Sequence, residues 1–241
     1  MTAQPLMDWM GTKLSIADNI KAVRERMEYA ASESGLGPRE LILVAAAKTM
    51  DCAAVRETIA GGADAIGENR VQEFEEKLAK GAYEGAEAHF IAHLQKNKAK
   101  KVVWASRLIQ SVDSIELLSL IDRLAGSLGI VQDVLLQVNL ELEQSKGGIP
   151  PDELQEALQA SSEARSLRVR GLMAIPPAGM DSAGNRNYFS RMYRLFVDSG
   201  AKKYDNVSMD FLSMGMSGDF EDALIEGANM VRIGTAIFGG R

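Results

Sequence analysis

Short apolar runs alternate with amphipathic segments along this chain. The apolar runs are rich in branched residues and cover residues 41–47, 63–66, 89–91, 108–111, 134–138, 167–172, 209–212 and 229–233. The amphipathic segments between them cover residues 52–60, 71–80, 95–105, 115–128, 151–162, 187–199 and 220–226. Apolar runs of this length predict strands, and the amphipathic periodicity predicts helices. A further amphipathic stretch, residues 14–34, predicts an extra helix ahead of the first strand.

The alternation of strands and helices predicts the α/β fold class. A strand, a helix and the next strand form a right-handed crossover, so consecutive strands should pair in parallel. Eight strands with short connections fit a (β/α)8 TIM barrel with an extra N-terminal helix, and a doubly wound open sheet is the alternative. Such a barrel uses about 250 residues, so the 241 residues predict a single barrel domain over 1–241. Within its second helix, the charged segment 73–77 is expected to be exposed.

Composition and charge exclude several classes of function. The net charge of −6 leaves no basic surplus to neutralise phosphates, so nucleic acid is not expected as a partner. No run reaches about 18 uninterrupted apolar residues, and the start of the chain lacks the pattern of a signal peptide. The single cysteine, Cys52, precludes an internal disulfide and is typical of a reducing compartment. We therefore expect a cytoplasmic protein that does not enter a membrane.

The residues that follow each apolar run are the candidates for a functional site, because in an α/β barrel the site lies at the carboxyl ends of the strands. Nearly every run ends in a side chain that can donate, accept or ionise. In chain order these residues are Lys48 and Thr49, Glu68 and Asn69, His93, Ser111 to Ser114, Asn139, Met173, Ser213 to Ser217, and Arg232 with Gly234 and Thr235. They should converge on one pocket at the barrel mouth.

Lys48 is the most informative of these residues. It ends an otherwise apolar strand, so we expect the stem of its side chain to start inside the barrel wall. Burial there would favour the neutral, nucleophilic amine. The three alanines at positions 45–47 would leave room for a flat ring. The structural alternatives are a lysine that extends to solvent and a salt bridge from Lys48 to Glu68.

The last two strand exits predict a phosphate site. In such barrels a phosphate commonly lies on backbone N–H groups of the seventh and eighth loops. Residues 213–219 are mostly small and contain glycine, and Gly234 and Thr235 add two N–H groups and a hydroxyl. Neither segment has the spacing of a nucleotide-binding loop. Ordinary turn chemistry is the alternative interpretation.

Arg232 precedes the second of these segments and indicates which phosphate compound is held. An imine-forming lysine, a phosphate cradle and a charged partner for a pyridine nitrogen are the contacts that hold pyridoxal 5′-phosphate (PLP). An arginine, which stays charged, would keep that nitrogen unprotonated and weaken the ring as an electron sink. The alternative is an arginine paired with a neighbouring carboxylate. No metal site is expected, since His89 and His93 would not share a helix face and no third ligand is near.

Nine ordered segments resemble the pyridoxal phosphate homeostasis protein family, whose fold is similar to the N-terminal barrel of alanine racemase. They are Ala47 to Thr49, Gly67 to Glu73, His89 to Gln95, Ser111 to Ser114, Gln137 to Asn139, Ser145 to Gly148, Gly171 to Met173, Ser213 to Ser217 and Arg232 to Gly239. The resemblance extends from about Leu14 to Arg241. It has two departures: Ala92, where the family usually has glycine, and the segment 176–186, which is unlike most members.

The resemblance implies a role for each matching residue. Lys48 would carry PLP as an internal aldimine, and Arg232 would face the pyridine nitrogen. Asn69 and Met173 would line the ring pocket, with His93 nearby. The residues implied for the phosphate are Ser213, the Met214 backbone, Gly234 and Thr235.

The resemblance implies a protein of PLP homeostasis that buffers or delivers the cofactor, with apo-PLP enzymes as partners and no robust reaction of its own. A racemase needs a second acid–base group, a tyrosine delivered by a separate domain of the partner subunit, and we expect no such domain here because the chain stops at Arg241. For the same reason we expect a monomer. One alternative is a small fold-type III PLP enzyme, a racemase or decarboxylase. Another is a barrel aldolase that uses Lys48 as a Schiff-base lysine without PLP.

Overall fold

The strands of this chain close into one parallel barrel. The computed structural model describes residues 15–143 and 146–239, so Leu14 and Ser145 lie outside the described residues. The strands are β1 (Ile42–Ala46), β2 (Ala65–Glu68), β3 (Glu87–Phe90), β4 (Leu108–Val112), β5 (Gln132–Val138), β6 (Leu167–Ala174), β7 (Val207–Ser213) and β8 (Met230–Ile233). Each pairs with the next in the chain, and β8 pairs with β1. The predicted (β/α)8 barrel is confirmed, and the open-sheet alternative is wrong.

Helices surround the barrel and join its strands. They are α1 (Ile16–Glu33), α2 (Cys52–Ala60), α3 (Val71–Ala79), α4 (Ala99–Val103), α5 (Ile115–Leu128), α6 (Leu154–Glu163), α7 (Ser182–Gly200), α8 (Phe220–Ile225) and α9 (Thr235–Phe238). The predicted N-terminal helix is α1, which starts at a capping box between Ser15 and Asp18 and packs against α8 and α9. Among the helices in the described part of the chain, none combines the length and apolar character needed to cross a membrane.

Two of the predicted helices differ most from the structure. Helix α7 begins five residues before the predicted start at position 187, because the Asp181 carboxylate accepts a hydrogen bond from the Gly184 N–H at 2.8 Å and caps the helix there. About half of segment 176–186 is therefore helical. The predicted helix 95–105 is a 3-10 turn, Lys96–Lys98, followed by the five-residue α4. Neither of these two elements has a side-chain N-cap that would extend it.

Apolar side chains form two separate cores because residues alternate between the two faces of each strand. Leu43 and Ala45 of β1 belong to the outer core, which lies between the barrel wall and the helices. Val44 of β1 belongs to the inner core inside the barrel, together with residues such as Leu135 and Met230. Side chains thus fill the barrel interior, as in other closed α/β barrels.

The pairing of β1 with β8 determines what meets at the barrel mouth. Val44 is in register with Arg232, and Ala45 with Ile233. A methyl group added at Gly234 would lie 3.5 Å from the Ala46 carbonyl oxygen, so Gly234 lies beside the end of β1. Lys48 follows two residues later. The first and last strand exits therefore lie side by side.

Candidate functional site

Lys48 lies at the barrel mouth, two residues beyond the last residue of β1. It has the same strand parity as Val44 and Ala46, which pack into the barrel interior. The predicted burial of Lys48 is wrong, since the residue is exposed. The reason is that the strand ends at Ala46, so the side chain starts at the rim and not within the wall. The predicted alternative of a salt bridge to Glu68 is also wrong, because the Glu68 carboxylate pairs with Lys77 at 2.7 Å.

Two side chains of α3 hold the turn that carries Lys48. The Lys77 ammonium donates to the Ala47 carbonyl oxygen at 3.0 Å, and the Glu73 carboxylate accepts from the Thr49 N–H at 3.0 Å. Thr49 has a φ of 63°, a left-handed conformation that a β-branched residue rarely adopts. Because Glu73 and Lys77 are one helical turn apart, α3 fixes the backbone on both sides of Lys48.

Glu68 and Lys77 form a buried ion pair beneath this turn. The Glu68 side chain is fully buried and that of Lys77 is 6% exposed. The Tyr83 hydroxyl donates to the same Glu68 oxygen at 3.0 Å. Burial raises the pKa of Glu68, and the hydrogen bond and charge of Lys77 oppose that rise. The prediction that segment 73–77 is an exposed helix is wrong at Phe74 and Lys77, both of which are buried.

The seventh and eighth strand exits meet through the hydroxyl of Ser217. Its oxygen accepts from the N–H groups of Gly234 at 3.2 Å and Ala236 at 3.3 Å. Two backbone N–H groups that converge on one oxygen have the arrangement with which turns can also bind an anion. We call the turn formed by Ser217, Gly234, Thr235 and Ala236 the 234–236 cradle. Ser217 lies in the segment 213–219 that the sequence predicts for the phosphate, but the sequence gives it no individual role.

Two of the residues predicted for the phosphate, Ser213 and Met214, are paired with other groups of the protein. Ser213 is fully buried, and its hydroxyl contacts Gln110 and Arg232 inside the barrel. The Met214 N–H donates to the Met230 carbonyl oxygen at 3.1 Å, so it is already paired. The reason is that the ladder to β8 extends through Ser213 and Met214, so neither lies on the loop surface. The hydroxyl that contacts the cradle N–H groups is that of Ser217.

Replacing Gly215 with alanine is expected to lower the free energy of unfolding by about 1–3 kcal/mol and to weaken anion binding at the cradle. Gly215 has a φ of +94°, and an added Cβ would lie 2.7 Å from the Ala223 Cβ. Gly218→Ala is the matched control, because an added Cβ there has no atom within 4 Å. Urea denaturation and a phosphate titration of both variants check the prediction, which equal stability of the two would contradict.

Arg232 is a buried cation at the floor of the mouth. Arg232 is 4% exposed, and its guanidinium donates to the Ser213 hydroxyl at 2.6 Å and to the Ala174 carbonyl oxygen at 2.9 Å. Burial lowers the pKa of Arg232 to about 10, with the charge of Asp219 opposing the shift. Both donors point to neutral oxygens, so the alternative of an arginine paired with a neighbouring carboxylate is wrong for the described residues.

The remaining predicted residues lie around the same mouth at different depths. The Asn69 carboxamide oxygen, at the exit of β2, is buried and has no hydrogen-bond partner among the described residues. Met173 is fully buried and packs in the inner core. His93 is exposed at the rim, where its Nδ1 lies 2.8 Å from an Asp113 oxygen. Thr235 is exposed at the start of α9.

Metal ligands do not cluster in the described part of the chain, where no group of three or more His, Cys, Asp or Glu side chains is arranged to hold an ion. The mouth instead combines an exposed amine, two directed N–H groups, a buried guanidinium and a buried acceptor without a partner. This set can bind an anionic group at the cradle and offer an amine to a carbonyl carbon beside it.

The chain resembles proteins that are already known. The family model described as alanine racemase, N-terminal domain, matches residues 15–241. The pyridoxal phosphate homeostasis protein of Aquifex aeolicus is 40% identical, over 95% of this chain and 99% of that protein. Its counterpart in Pseudomonas aeruginosa is 39% identical, over 94% of this chain and 96% of that protein.

A solved structure shows the same barrel. PipY of Synechococcus elongatus, with PLP bound, superposes with a TM-score of 0.81 at 34% sequence identity, covering 93% of this chain and 100% of that chain. The likeness therefore extends over nearly the whole length of both proteins, in sequence and in structure. The chain belongs to the pyridoxal phosphate homeostasis protein family, whose barrel corresponds to the N-terminal domain of alanine racemase.

Proposed function

We propose that this protein binds PLP through Lys48 and acts in PLP homeostasis, as a single domain that buffers or delivers the cofactor. The observation that carries the proposal is the arrangement along the β1–β8 wall. Arg232 lies level with Val44, Gly234 lies beside Ala46, and the exposed amine of Lys48 follows at the rim. The names of the relatives and the PLP-bound PipY structure support the same cofactor.

The residues at the mouth fit the parts of PLP. The Ser217 hydroxyl and the N–H groups of Gly234 and Ala236 suit the phosphate, with the exposed Thr235 hydroxyl beside them. The buried Asn69 oxygen lacks a donor within the protein, so it suits a polar group on the ring. When bound, PLP supplies an aldehyde and an electron-accepting ring. The Lys48 amine would form an imine with the aldehyde carbon and release one water molecule.

Arg232 supports a holding role more than a catalytic one. It is buried among neutral hydrogen-bond acceptors, and its guanidinium keeps its proton at physiological pH. Arginine does not release its proton at neutral pH, so a ring nitrogen that faces Arg232 would stay unprotonated. A neutral pyridine ring would withdraw electrons weakly, so it would support little proton abstraction from an amino acid.

Two buried tyrosines also support a carrier. A racemase requires an accessible hydroxyl as its second acid–base group. The Tyr83 hydroxyl donates to Glu68, and the Tyr188 hydroxyl donates to the Ile175 carbonyl oxygen. Both residues are buried, and burial raises the pKa of each. Neither hydroxyl suits proton exchange near neutral pH, which disfavours the fold-type III racemase alternative.

A spectrum combined with a turnover assay tests the proposal. After incubation with PLP and dialysis, the protein is expected to keep a visible absorption band that borohydride bleaches, with the adduct on the peptide that contains Lys48. With a panel of amino acids, turnover is expected to stay below about 1 s⁻¹. A colourless dialysed protein would refute the PLP site and favour the aldolase alternative, and ordinary turnover would refute the carrier role.

The delivery role predicts a further behaviour. Loaded protein is expected to restore the activity of an apo-PLP enzyme. In this proposal it acts as a monomer in the cytoplasm, a reducing environment that suits the lone Cys52. Transfer faster than the release of PLP into buffer would indicate direct delivery. A transfer rate equal to that release would indicate buffering alone.

A further inference from the structure

A chain of hydrogen-bonded side chains crosses the interior of the barrel and ends at Arg232. The Arg232 guanidinium donates to the Ser213 hydroxyl at 2.6 Å, and that hydroxyl donates to the Gln110 carboxamide oxygen at 2.7 Å. The Gln110 nitrogen lies 3.0 Å from Nδ1 of His89, and Nε2 of His89 lies 3.2 Å from a Glu87 oxygen. These residues come from β8, β7, β4 and β3, so the series of hydrogen bonds spans the barrel from its mouth to its opposite end.

The donors and acceptors in this chain all have one direction. Arg232 can only donate, so the Ser213 oxygen accepts from it, and the Ser213 O–H donates a hydrogen bond to the Gln110 oxygen. The Gln110 oxygen is then an acceptor, and its amide nitrogen donates to Nδ1 of His89. This leaves the proton of neutral His89 on Nε2, directed at the Glu87 carboxylate. Reversing the Gln110 amide would place its NH2 group against the Ser213 proton and break the sequence.

Burial makes this arrangement costly unless every member is paired. Gln110 and Ser213 are fully buried, and His89 is 2% exposed. Their neighbours in the barrel interior are apolar side chains such as Val44 and Leu135. Polar groups buried in such surroundings lose their hydration, and an unmade hydrogen bond is not replaced by water. The Arg232 guanidinium is therefore held in the orientation in which every member of this series of hydrogen bonds is paired.

We propose that Gln110 is a positioning residue, which acts through Ser213 to hold the Arg232 guanidinium toward the pyridine nitrogen of bound PLP. This inference rests on the proposed function. Gln110 lies in the interior of the barrel and belongs to none of the strand-exit groups at the mouth. Its effect on the cofactor passes through Arg232 and not through the amine or the cradle. Without Gln110, the Ser213 hydroxyl loses its acceptor and can turn away from Arg232.

Gln110→Leu and Gln132→Leu form a matched pair for the test. Gln132 is also buried, but its amide donates to the backbone carbonyl oxygens of Ser106 and Asp133, at the end of the barrel away from the mouth. Each variant is loaded with PLP, and the pH midpoint of its visible absorption band is measured together with the dissociation constant for PLP. Urea denaturation reports the general cost of removing a buried amide.

Gln110→Leu is expected to move the pH midpoint down by about half a unit or more and to weaken PLP binding about tenfold. The reason is that a ring nitrogen no longer faced by Arg232 can take a proton, whose charge disfavours a second proton on the imine. Ser213→Ala removes only one oxygen and is expected to move the midpoint in the same direction. Gln132→Leu is expected to leave the midpoint unchanged.

The outcomes separate this inference from the proposed function. A coloured wild-type protein with equal midpoints for Gln110→Leu, Ser213→Ala and Gln132→Leu overturns the positioning role and leaves the PLP site intact. A colourless wild-type protein overturns both. Should Gln110→Leu fail to fold, Ser213→Ala with an unshifted midpoint is sufficient to overturn the inference.

Discussion

Lys48→Ala is expected to abolish covalent attachment of PLP and to weaken its retention at least about tenfold. The amine of Lys48 is exposed at the mouth beside the 234–236 cradle, whereas the nearby Lys77 ammonium is buried and bound to Glu68 and the Ala47 carbonyl oxygen. Lys77 therefore cannot replace Lys48. Residual, non-covalent binding should persist because the cradle is unchanged. Borohydride reduction followed by intact-mass measurement checks both expectations.

Two controls make the Lys48 result specific. Lys48→Arg keeps the positive charge but has no amine that condenses with an aldehyde, so it should behave like Lys48→Ala in the mass measurement. Lys202→Ala removes an exposed lysine whose ammonium contacts Gln155, and it should retain the full adduct. A reduced adduct of normal yield on Lys48→Ala would show that the attachment point is another residue.

Lys77→Met is expected to lower the free energy of unfolding by about 3–5 kcal/mol. Removing Lys77 leaves the fully buried Glu68 carboxylate without its counter-ion and with only the Tyr83 hydroxyl as a partner. A domain of this kind is stable by about 5–15 kcal/mol, so the loss would be a large part of the total. The change also removes the hydrogen bond to the Ala47 carbonyl oxygen, so imine formation by Lys48 should slow. Urea denaturation and the rate of colour development measure the two effects.

The penalty of Lys77→Met should depend on pH. Burial already raises the pKa of Glu68 above its ordinary value, so the folded protein takes up a proton at a higher pH than the unfolded chain. Stability therefore falls as pH rises from the unfolded pKa through the folded one. Losing Lys77 removes the interaction that opposes the rise in the pKa of Glu68. The pH range over which stability falls therefore extends upward. The destabilisation by Lys77→Met is accordingly smaller at about pH 5 than at about pH 8.

A double substitution and the substitution of an exposed lysine complete the test. Glu68→Gln combined with Lys77→Met removes both charges, and it should recover much of the stability that Lys77→Met loses. Lys80→Met breaks the exposed pair with Glu76 one turn from Lys77, and it should have little effect. Equal destabilisation by Lys77→Met and Lys80→Met would contradict the role of the buried pair.

Much of the fold could be predicted because it depends on local patterns. The eight apolar runs and the amphipathic segments between them correspond to strands and helices of the barrel, and the stretch at 14–34 contains α1. Short-range periodicity reports which face of an element is buried, and the parallel crossover rule then leaves few topologies. The errors lie at boundaries such as the start of α7, where the Asp181 cap outweighs a weak apolar pattern.

The sequence by itself determined the barrel and its mouth, and it predicts the two residues on which the proposed site depends, Lys48 and Arg232, because each follows or ends an apolar strand in a recognisable motif. Only the tertiary structure decided which hydroxyl meets the cradle, which lysine is buried and what holds Arg232. Ser217, Lys77 and Ser213 acquire these roles from partners on other strands and helices. Contacts between residues distant in the chain depend on how strands close around a shared interior, and no pattern along the chain records that.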